Sequence, residues 1–245
     1  MTVDYFNKLR ISPTFIRYGA KKLTTALDAI LPLRCCLCLV SDTGGFCHQC
    51  QDLLPWLEIA CERCGCELQH AGTCGICQTN PMAFDSAAIP FKYRDPISSQ
   101  IQRLKYHRGL AVAPALGKML AMQVIKQSHQ LPDALVPVPL HIDRLKQRGF
   151  NQAKLIAESA GHLLGIPVDN QIISRTLKTA SQTDLDRRSR EKNMRNAFAV
   201  QVKGRYDAVA VVDDVITSGA TMGTICMELR LNGYSRISAW AIART

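Results

Sequence analysis

Ten of the eleven cysteines of this chain lie between Cys35 and Cys77, and eight of them repeat a single spacing. The pairs are Cys35-x2-Cys38, Cys47-x2-Cys50, Cys61-x2-Cys64 and Cys74-x2-Cys77. Two thiols three residues apart on a tight knuckle turn toward one ion. Two knuckles complete a tetrahedral thiolate set, which suits zinc. The spacing therefore predicts two structural zinc sites. So short a segment cannot bury a core of its own, and metal has to hold it: structural zinc contributes roughly 10–16 kcal/mol in finger peptides. The short, even gaps favour sequential ribbons, one from Cys35, Cys38, Cys47 and Cys50 and one from Cys61, Cys64, Cys74 and Cys77. A cross-brace that mixes alternate pairs is the other arrangement. Cys36 and Cys66 do not fit the spacing and read as free thiols, and His48 reads as solvent-exposed rather than as a ligand.

Clustered cysteines also speak to compartment. A disulfide-stapled chain of 245 residues would spread them. Residues 1–12 hold no apolar stretch of the secretory kind, and no run of 18 apolar residues offers a membrane span. The expectation is a soluble protein of the reducing cytoplasm. With 47% hydrophobic residues the chain can build a packed core, which excludes global disorder. Leu23, Ala26, Leu27, Ile30 and Leu31 fall at helical spacing before Pro32, and read as a short docking helix. The expected organisation is an N-terminal extension over 1–31, the cysteine module over 32–80 and a larger domain over 81–245.

That larger domain alternates. Strands are expected at 87–93, 134–140, 168–174, 206–212 and 237–243, and helices at 97–107, 111–127, 151–164 and 221–231. Asn151 is placed to cap the third helix and Gly165 to end it. The alternation implies an α/β fold, a parallel sheet with helices on both faces. Residues 176–196 are charged and aperiodic; a loop of that length is a lid or disordered.

The most specific segment runs over 209–221. Four apolar residues make a buried strand, and Asp213 and Asp214 come at its carboxyl end, where open parallel sheets bind ligands. A turn of small residues then opens a helix. Its backbone N–H groups, with the Thr217, Ser218 and Thr221 hydroxyls, form a phosphate cradle, and Gly219 lets a ligand approach the backbone. The two acids are acceptors for vicinal ribose hydroxyls. An ordinary strand-turn-helix with Ser218 as N-cap is the bland alternative. No GxxxxGK[ST] loop occurs, which sets a nucleotide triphosphatase aside.

This segment resembles the phosphoribosyl pyrophosphate signature of type I phosphoribosyltransferases. From about residue 32 onward the chain resembles the ComF family of competence-associated proteins, which includes the GntX-like proteins. The resemblance rests on the cysteine pairs ahead of Pro81-Met-Ala-Phe84, on Leu104-Lys-Tyr-His-Arg-Gly109, Val136-Pro-Val-Pro139 and Arg148-Gly-Phe-Asn-Gln152, and on residues 182–198. It implies a double zinc ribbon ahead of a phosphoribosyltransferase-like sheet, and a link to DNA uptake in natural transformation. It also implies phosphoribosyl pyrophosphate with magnesium as ligand. Asp213 and Asp214 would then be the catalytic acids, and Val215, Thr217, Ser218, Gly219, Ala220 and Thr221 the phosphate turn. Pro139 and Arg144 would lie in the pyrophosphate loop, with Lys105 and Arg190 as further substrate contacts. Asn196 stands where the family usually has glycine.

The formal net charge is +10, and residues 141–205 carry 13 Lys and Arg against 6 Asp and Glu. Such an excess favours polyanions, either a phosphorylated ligand or single-stranded DNA. Aromatic interleaving is thin: Tyr106, Phe150 and Phe198 are the candidates. His107 at a helix end reads as structural. Two functions remain open. One is a magnesium-assisted phosphoribosyl transfer or its hydrolytic variant. The other is a binding module that keeps the sugar-phosphate site and holds DNA or competence and DNA-processing proteins. No nucleobase pocket is legible, and fold does not choose between the two.

Overall fold

The computed structural model describes residues 34–40, 45–107, 109–127, 130–175 and 197–245. Residues 34–245 form one compact unit. The expected docking helix and the charged loop with Arg187, Arg188 and Arg190 lie outside the described residues.

In the cysteine module, α1 (His48–Gln51) and α2 (Gly75–Thr79) are single turns that open on Cys47 and Cys74. Then follow β1 (Ser86–Ala88), β2 (Phe91–Lys92), α3 (Ile97–Tyr106), α4 (Val112–Gln127) and β3 (Ala134–Pro137). Next come α5 (Ile142–Arg148), α6 (Gln152–Leu164), β4 (Ile173–Arg175) and β5 (Phe198–Val200). The chain closes with β6 (Ala208–Ile216), α7 (Ala220–Leu231) and β7 (Arg236–Arg244). The main sheet has the order β1-β7-β6-β3, with β2 also on β7, and every pairing is parallel. Val209 to Val212 are at most 1% exposed, as strands covered on both faces require.

Helices α3, α4 and α6 cover one face, where Ile101, Leu116 and Ile156 meet Val212, Trp240 and Ile242. Helix α7 and the β4–β5 ribbon cover the other, where Ile225, Leu229 and Phe198 meet Val211 and Ala239. The cysteine module straddles both layers. Phe46 and Leu54 belong to the first core, and Leu57, Cys61, Cys64 and Cys77 to the second. Between them the chain runs antiparallel to β2: Leu57 N–H donates to Pro90 O at 2.8 Å, and Lys92 N–H to Pro55 O at 2.9 Å. Trp56 lies against Phe91 with ring centres 4.7 Å apart. The module thus covers a sheet edge that would otherwise offer unpaired backbone groups.

Local chemistry explains the boundaries. Asn151 accepts from the N–H groups of Ala153 (3.0 Å) and Lys154 (3.4 Å) to start α6, and Gly165 ends it in the left-handed region, φ 70°. Strand β6 runs four residues past its expected end. Its ladder with β7 continues through Asp213↔Ala241 to Ile216↔Arg244, because backbone pairing does not require apolar side chains. The strand expected over 168–174 is broken. Val168 makes a lone parallel bridge to Leu135, then Asp169 Oδ1 accepts from Gln171 N–H at 3.0 Å and turns the chain into β4, which pairs antiparallel with β5.

Helices α4 and α6 cross at a glycine. A Cβ on Gly117 would stand 2.5 Å from Ser159 Cβ and 2.9 Å from Ile156 O. Gly117→Ala is expected to cost about 1–3 kcal/mol by overpacking. For a chain of this size that lowers the melting temperature roughly 2–4 °C per kcal/mol. An unchanged melting curve would mean that the helices do not meet there.

Candidate functional site

The carboxyl ends of β3 and β6 bring together residues that are far apart in the chain. Asp214, 4% exposed, lies near the carboxyl end of β6, and its Oδ2 lies 2.5 Å from Nζ of Lys105 at the end of α3. Asp213 is half-buried, and its Oδ1 accepts from the Asp214 N–H at 2.8 Å. Burial, and next the Asp214 carboxylate, push the Asp213 carboxyl well above the usual range. One ammonium thus faces two adjacent carboxyls. The excess acceptor capacity suits ligand hydroxyls.

The turn after β6 is made of small and hydroxyl-bearing residues. Thr217 and Ser218 are exposed, and Ser218 Oγ accepts from Ala220 N–H at 3.3 Å. Gly219 is buried at φ 79° and caps α7, a conformation that an L side chain rarely adopts. Ala220 and Thr221 open the helix, whose first N–H groups have no partner within it. Val215 packs back into the α3–α4 face. Met82, from the linker behind the cysteine module, forms the floor: its Cε would lie 3.6 Å from a Cβ at Gly219.

Beside this turn, Val138 N–H donates to Val212 O at 2.9 Å, which places Pro139 next to the acid pair. His141 then caps α5 by accepting from Asp143 N–H at 3.2 Å, and Arg144 stands exposed on that helix. Burial, and next the Arg144 charge, hold the guanidinium of Arg175, at the end of β4, below its ordinary value. Arg190 lies outside the described residues. The aromatic candidates separate: Tyr106 and Phe150 line one cleft, whereas Phe198 is buried in the α7 face. His107 is exposed at the end of α3.

The thiols of Cys35, Cys38, Cys47 and Cys50 all lie within 4.8 Å of one another. Cys38 and Cys47 are 3.6 Å apart, close to the ~3.8 Å edge of a tetrahedron with zinc–sulfur bonds of about 2.3 Å. Backbone N–H groups of Leu37 and Cys47 aim at the Cys35 sulfur at 3.5 and 3.4 Å. Burial works against ionisation of Cys35, but N–H donors from Cys47, Cys38 and Leu37 outweigh it and bring the thiol down to about 6. In the second group Cys61, Cys64, Cys66 and Cys74 lie within 4.8 Å of one another, and Cys64 and Cys74 are 3.7 Å apart. The Cys77 N–H, then burial acting the other way, set Cys74 at about 6. The grouping is sequential, and each group could hold a zinc ion. The second group holds a fifth thiol. The spacing sets Cys66 apart, yet the structure gathers it with Cys61, Cys64 and Cys74, while Cys77 remains a hydrogen-bond partner of Cys64 and Cys74. Its position two residues after Cys64 is the signal that a search for Cys-x2-Cys alone passes over.

Competence protein F of Haemophilus influenzae is 37% identical over 209 residues, which cover 82% of this chain and 91% of that protein. The chain belongs to the competence protein F family. DNA utilization protein YhgH of Escherichia coli K12 is 33% identical over 225 residues, 88% of this chain and 98% of that protein. No family model matches the chain. Among solved structures, a purine phosphoribosyltransferase from Pyrococcus horikoshii Ot3 aligns with 65% of the chain and 87% of its own, at 15% identity and a TM-score of 0.33. For this member of the competence protein F family, no helix among the described residues is long and apolar enough to cross a membrane.

Proposed function

We propose that this protein binds phosphoribosyl pyrophosphate, with magnesium, at the end of β6, and serves the uptake or utilisation of DNA. The observation that carries the first part is Asp213 and Asp214 standing directly ahead of the Thr217-Ser218-Gly219 turn at the start of α7. In this reading the acids accept the two ribose hydroxyls, and the turn takes the 5-phosphate. Pro139 and Arg144 face the pyrophosphate. Lys105 leaves Asp214 or shares it as the sugar arrives. In a transfer, an acceptor lone pair forms the new bond at C1 of the ribose while the C1–O bond to pyrophosphate breaks, and pyrophosphate departs with that electron pair. Magnesium, when bound, would neutralise charge on the leaving group, and Arg144 would add to it. The names of the two relatives support the DNA part.

The excess of basic residues over 141–205 favours a second ligand, single-stranded DNA. Release of pyrophosphate from phosphoribosyl pyrophosphate, measured with and without DNA, tests catalysis directly. Binding of single-stranded DNA is expected to be weak and salt-sensitive, with each neutralised phosphate adding about 0.7 to the slope of log affinity against log salt. Replacing Arg187, Arg188 and Arg190 with Ala is expected to flatten that slope by about two. Should affinity and slope stay unchanged while phosphoribosyl pyrophosphate binding is lost, the loop is a lid over the sugar site and not a DNA surface.

A further inference from the structure

The two cysteine groups share one backbone plan, and the plan shows what is extra in the second. In the first group Cys35 N–H donates to Val40 O at 2.9 Å, and Leu39 N–H to Cys35 O at 3.1 Å. In the second, Cys61 N–H donates to Cys66 O at 2.8 Å, and Gly65 N–H to Cys61 O at 2.8 Å. Leu39 and Gly65 both take the left-handed region, at φ 63° and 68°. The returning chain matches too: Cys35 forms a parallel bridge with Gly45, and Cys61 with Gly72. In each group the N–H of the third cysteine reaches the sulfur of the first, Cys47 to Cys35 at 3.4 Å and Cys74 to Cys61 at 3.3 Å. The second and third sulfurs lie 3.6 Å apart in one group and 3.7 Å in the other. By this correspondence Cys77 answers to Cys50, and Cys66 answers to Val40.

Cys66 is therefore a thiol beyond the four ligands, standing where the first ribbon has a valine. Its sulfur lies within 4.8 Å of those of Cys61, Cys64 and Cys74. Cys66 and Cys74 are half-buried, whereas Cys64 is 2% exposed. The other cysteine outside the spacing, Cys36, is no equivalent. Its Sγ donates to Ala111 O, 3.8 Å away, and lies outside the first group. The difference matters for oxidation. A tetrahedral zinc set holds its sulfurs about 3.8 Å apart, and a disulfide needs about 2.05 Å. Joining two ligands therefore breaks two metal–sulfur bonds. Joining a spare thiol to one ligand breaks a single such bond. Among the described residues, the second group has this easier route and the first does not.

We propose that Cys66 is an oxidation site: it forms a disulfide with Cys74 and so releases the ion of the second group, while the first group keeps its own. The oxidant is a peroxide. The Cys74 thiolate attacks one peroxide oxygen, the O–O bond breaks, and the departing hydroxide takes up a proton and leaves as water. Cys74 is then a sulfenic acid. The Cys66 sulfur attacks the Cys74 sulfur, the S–S bond forms, the S–O bond breaks, and the hydroxyl leaves with the Cys66 proton as a second water. The two sulfurs lose two electrons and the peroxide gains them. Cys61, Cys64 and Cys77 remain, one ligand short of a tetrahedral set. A dithiol reductant reverses the change by exchange and is itself left as the disulfide.

The test uses the zinc-loaded full chain, limiting hydrogen peroxide and a chromophoric zinc chelator. The unaltered protein is expected to release one of its two ions and to regain it with zinc and dithiothreitol. Cleavage after Glu67 parts Cys66 from Cys74, so mass spectrometry should show the two resulting peptides joined by a disulfide. Cys66→Val gives the second ribbon the residue of the first, and Cys66→Ala removes the thiol with less bulk. Both are expected to purify with two ions and to keep them in peroxide. Val40→Cys transfers the device and is expected to release the first ion as well. Release that Cys66→Val and Cys66→Ala leave undiminished, no release from the unaltered protein, or retention of the first ion in Val40→Cys overturns the proposal. So does a single ion in both reduced Cys66 variants, which would make Cys66 itself a ligand. Metal content and peptide mass are the readouts, so the result stands apart from the sugar-phosphate reading.

Discussion

Asp213→Asn combined with Asp214→Asn is expected to abolish the rise in melting temperature that phosphoribosyl pyrophosphate and magnesium give the unaltered protein. A ligand at a hundred times its dissociation constant adds about 2.7 kcal/mol, and each kcal/mol moves the midpoint roughly 2–4 °C at this size, so the loss is easily read. Ribose 5-phosphate is expected to bind more weakly, since it lacks the pyrophosphate contacts. An undiminished shift in the double variant would place the ligand elsewhere. Asp213→Asn alone carries a second expectation of opposite sign. Burial and the adjacent Asp214 charge raise the Asp213 carboxyl above its unfolded value of about 3.9. The fold therefore keeps a proton that the unfolded chain has lost, and stability falls as pH rises through that interval. The amide removes this penalty. Without ligand, Asp213→Asn is expected to melt above the unaltered protein at neutral pH, with the gain fading below about pH 4. No gain at neutral pH would mean that the pair is already relieved.

Removing zinc is expected to have the larger structural effect. The purified, reduced protein should carry two zinc ions per chain, read by elemental analysis with thiol counting. Metal worth roughly 10–16 kcal/mol in finger peptides compares with about 5–15 kcal/mol for whole domains, so the module is not expected to stay folded without it. Cys61→Ser should lose one ion. Cys61 is 2% exposed within the α7-face core, together with Phe84 and Ile89. Hydrogen exchange should therefore rise first over residues 45–80 and then spread along β1 and β2. Cys66→Ser and Cys77→Ser compared side by side identify the fourth ligand of the second group, as the variant that loses the ion. Freshly reduced protein without zinc would refute the module.

The cysteine spacing carries the sequential grouping because knuckle geometry is local. The fifth thiol at Cys66 is not local: it depends on how the chain returns between Cys64 and Cys74. The same distinction runs through the larger domain. Val209 to Val212 are legible as a buried strand, but its continuation through Asp213 and Asp214 is set by the facing residues of β7, far along the chain. Helix α5 has no buried residue to give a period, and is made by the His141 cap and Gly149. Lys105 on Asp214, and Tyr106 under Arg148, join residues brought together only by the finished sheet.

The place of β7 has a consequence for how the chain is made. Ser86 in β1 finds its register partner in Ser238, and at ~5–20 residues per second that partner leaves the ribosome roughly eight to thirty seconds later. Among the described residues, β1 until then has no strand neighbour, and β2 has only the stretch around Trp56 that the cysteine module lays along it. The module can take up metal and shield that edge while the rest of the sheet is still being synthesised. Assembly then waits for β7, which joins β1, β2 and β6 at once. A nascent chain stopped before residue 236 lacks the partner of three strands rather than one.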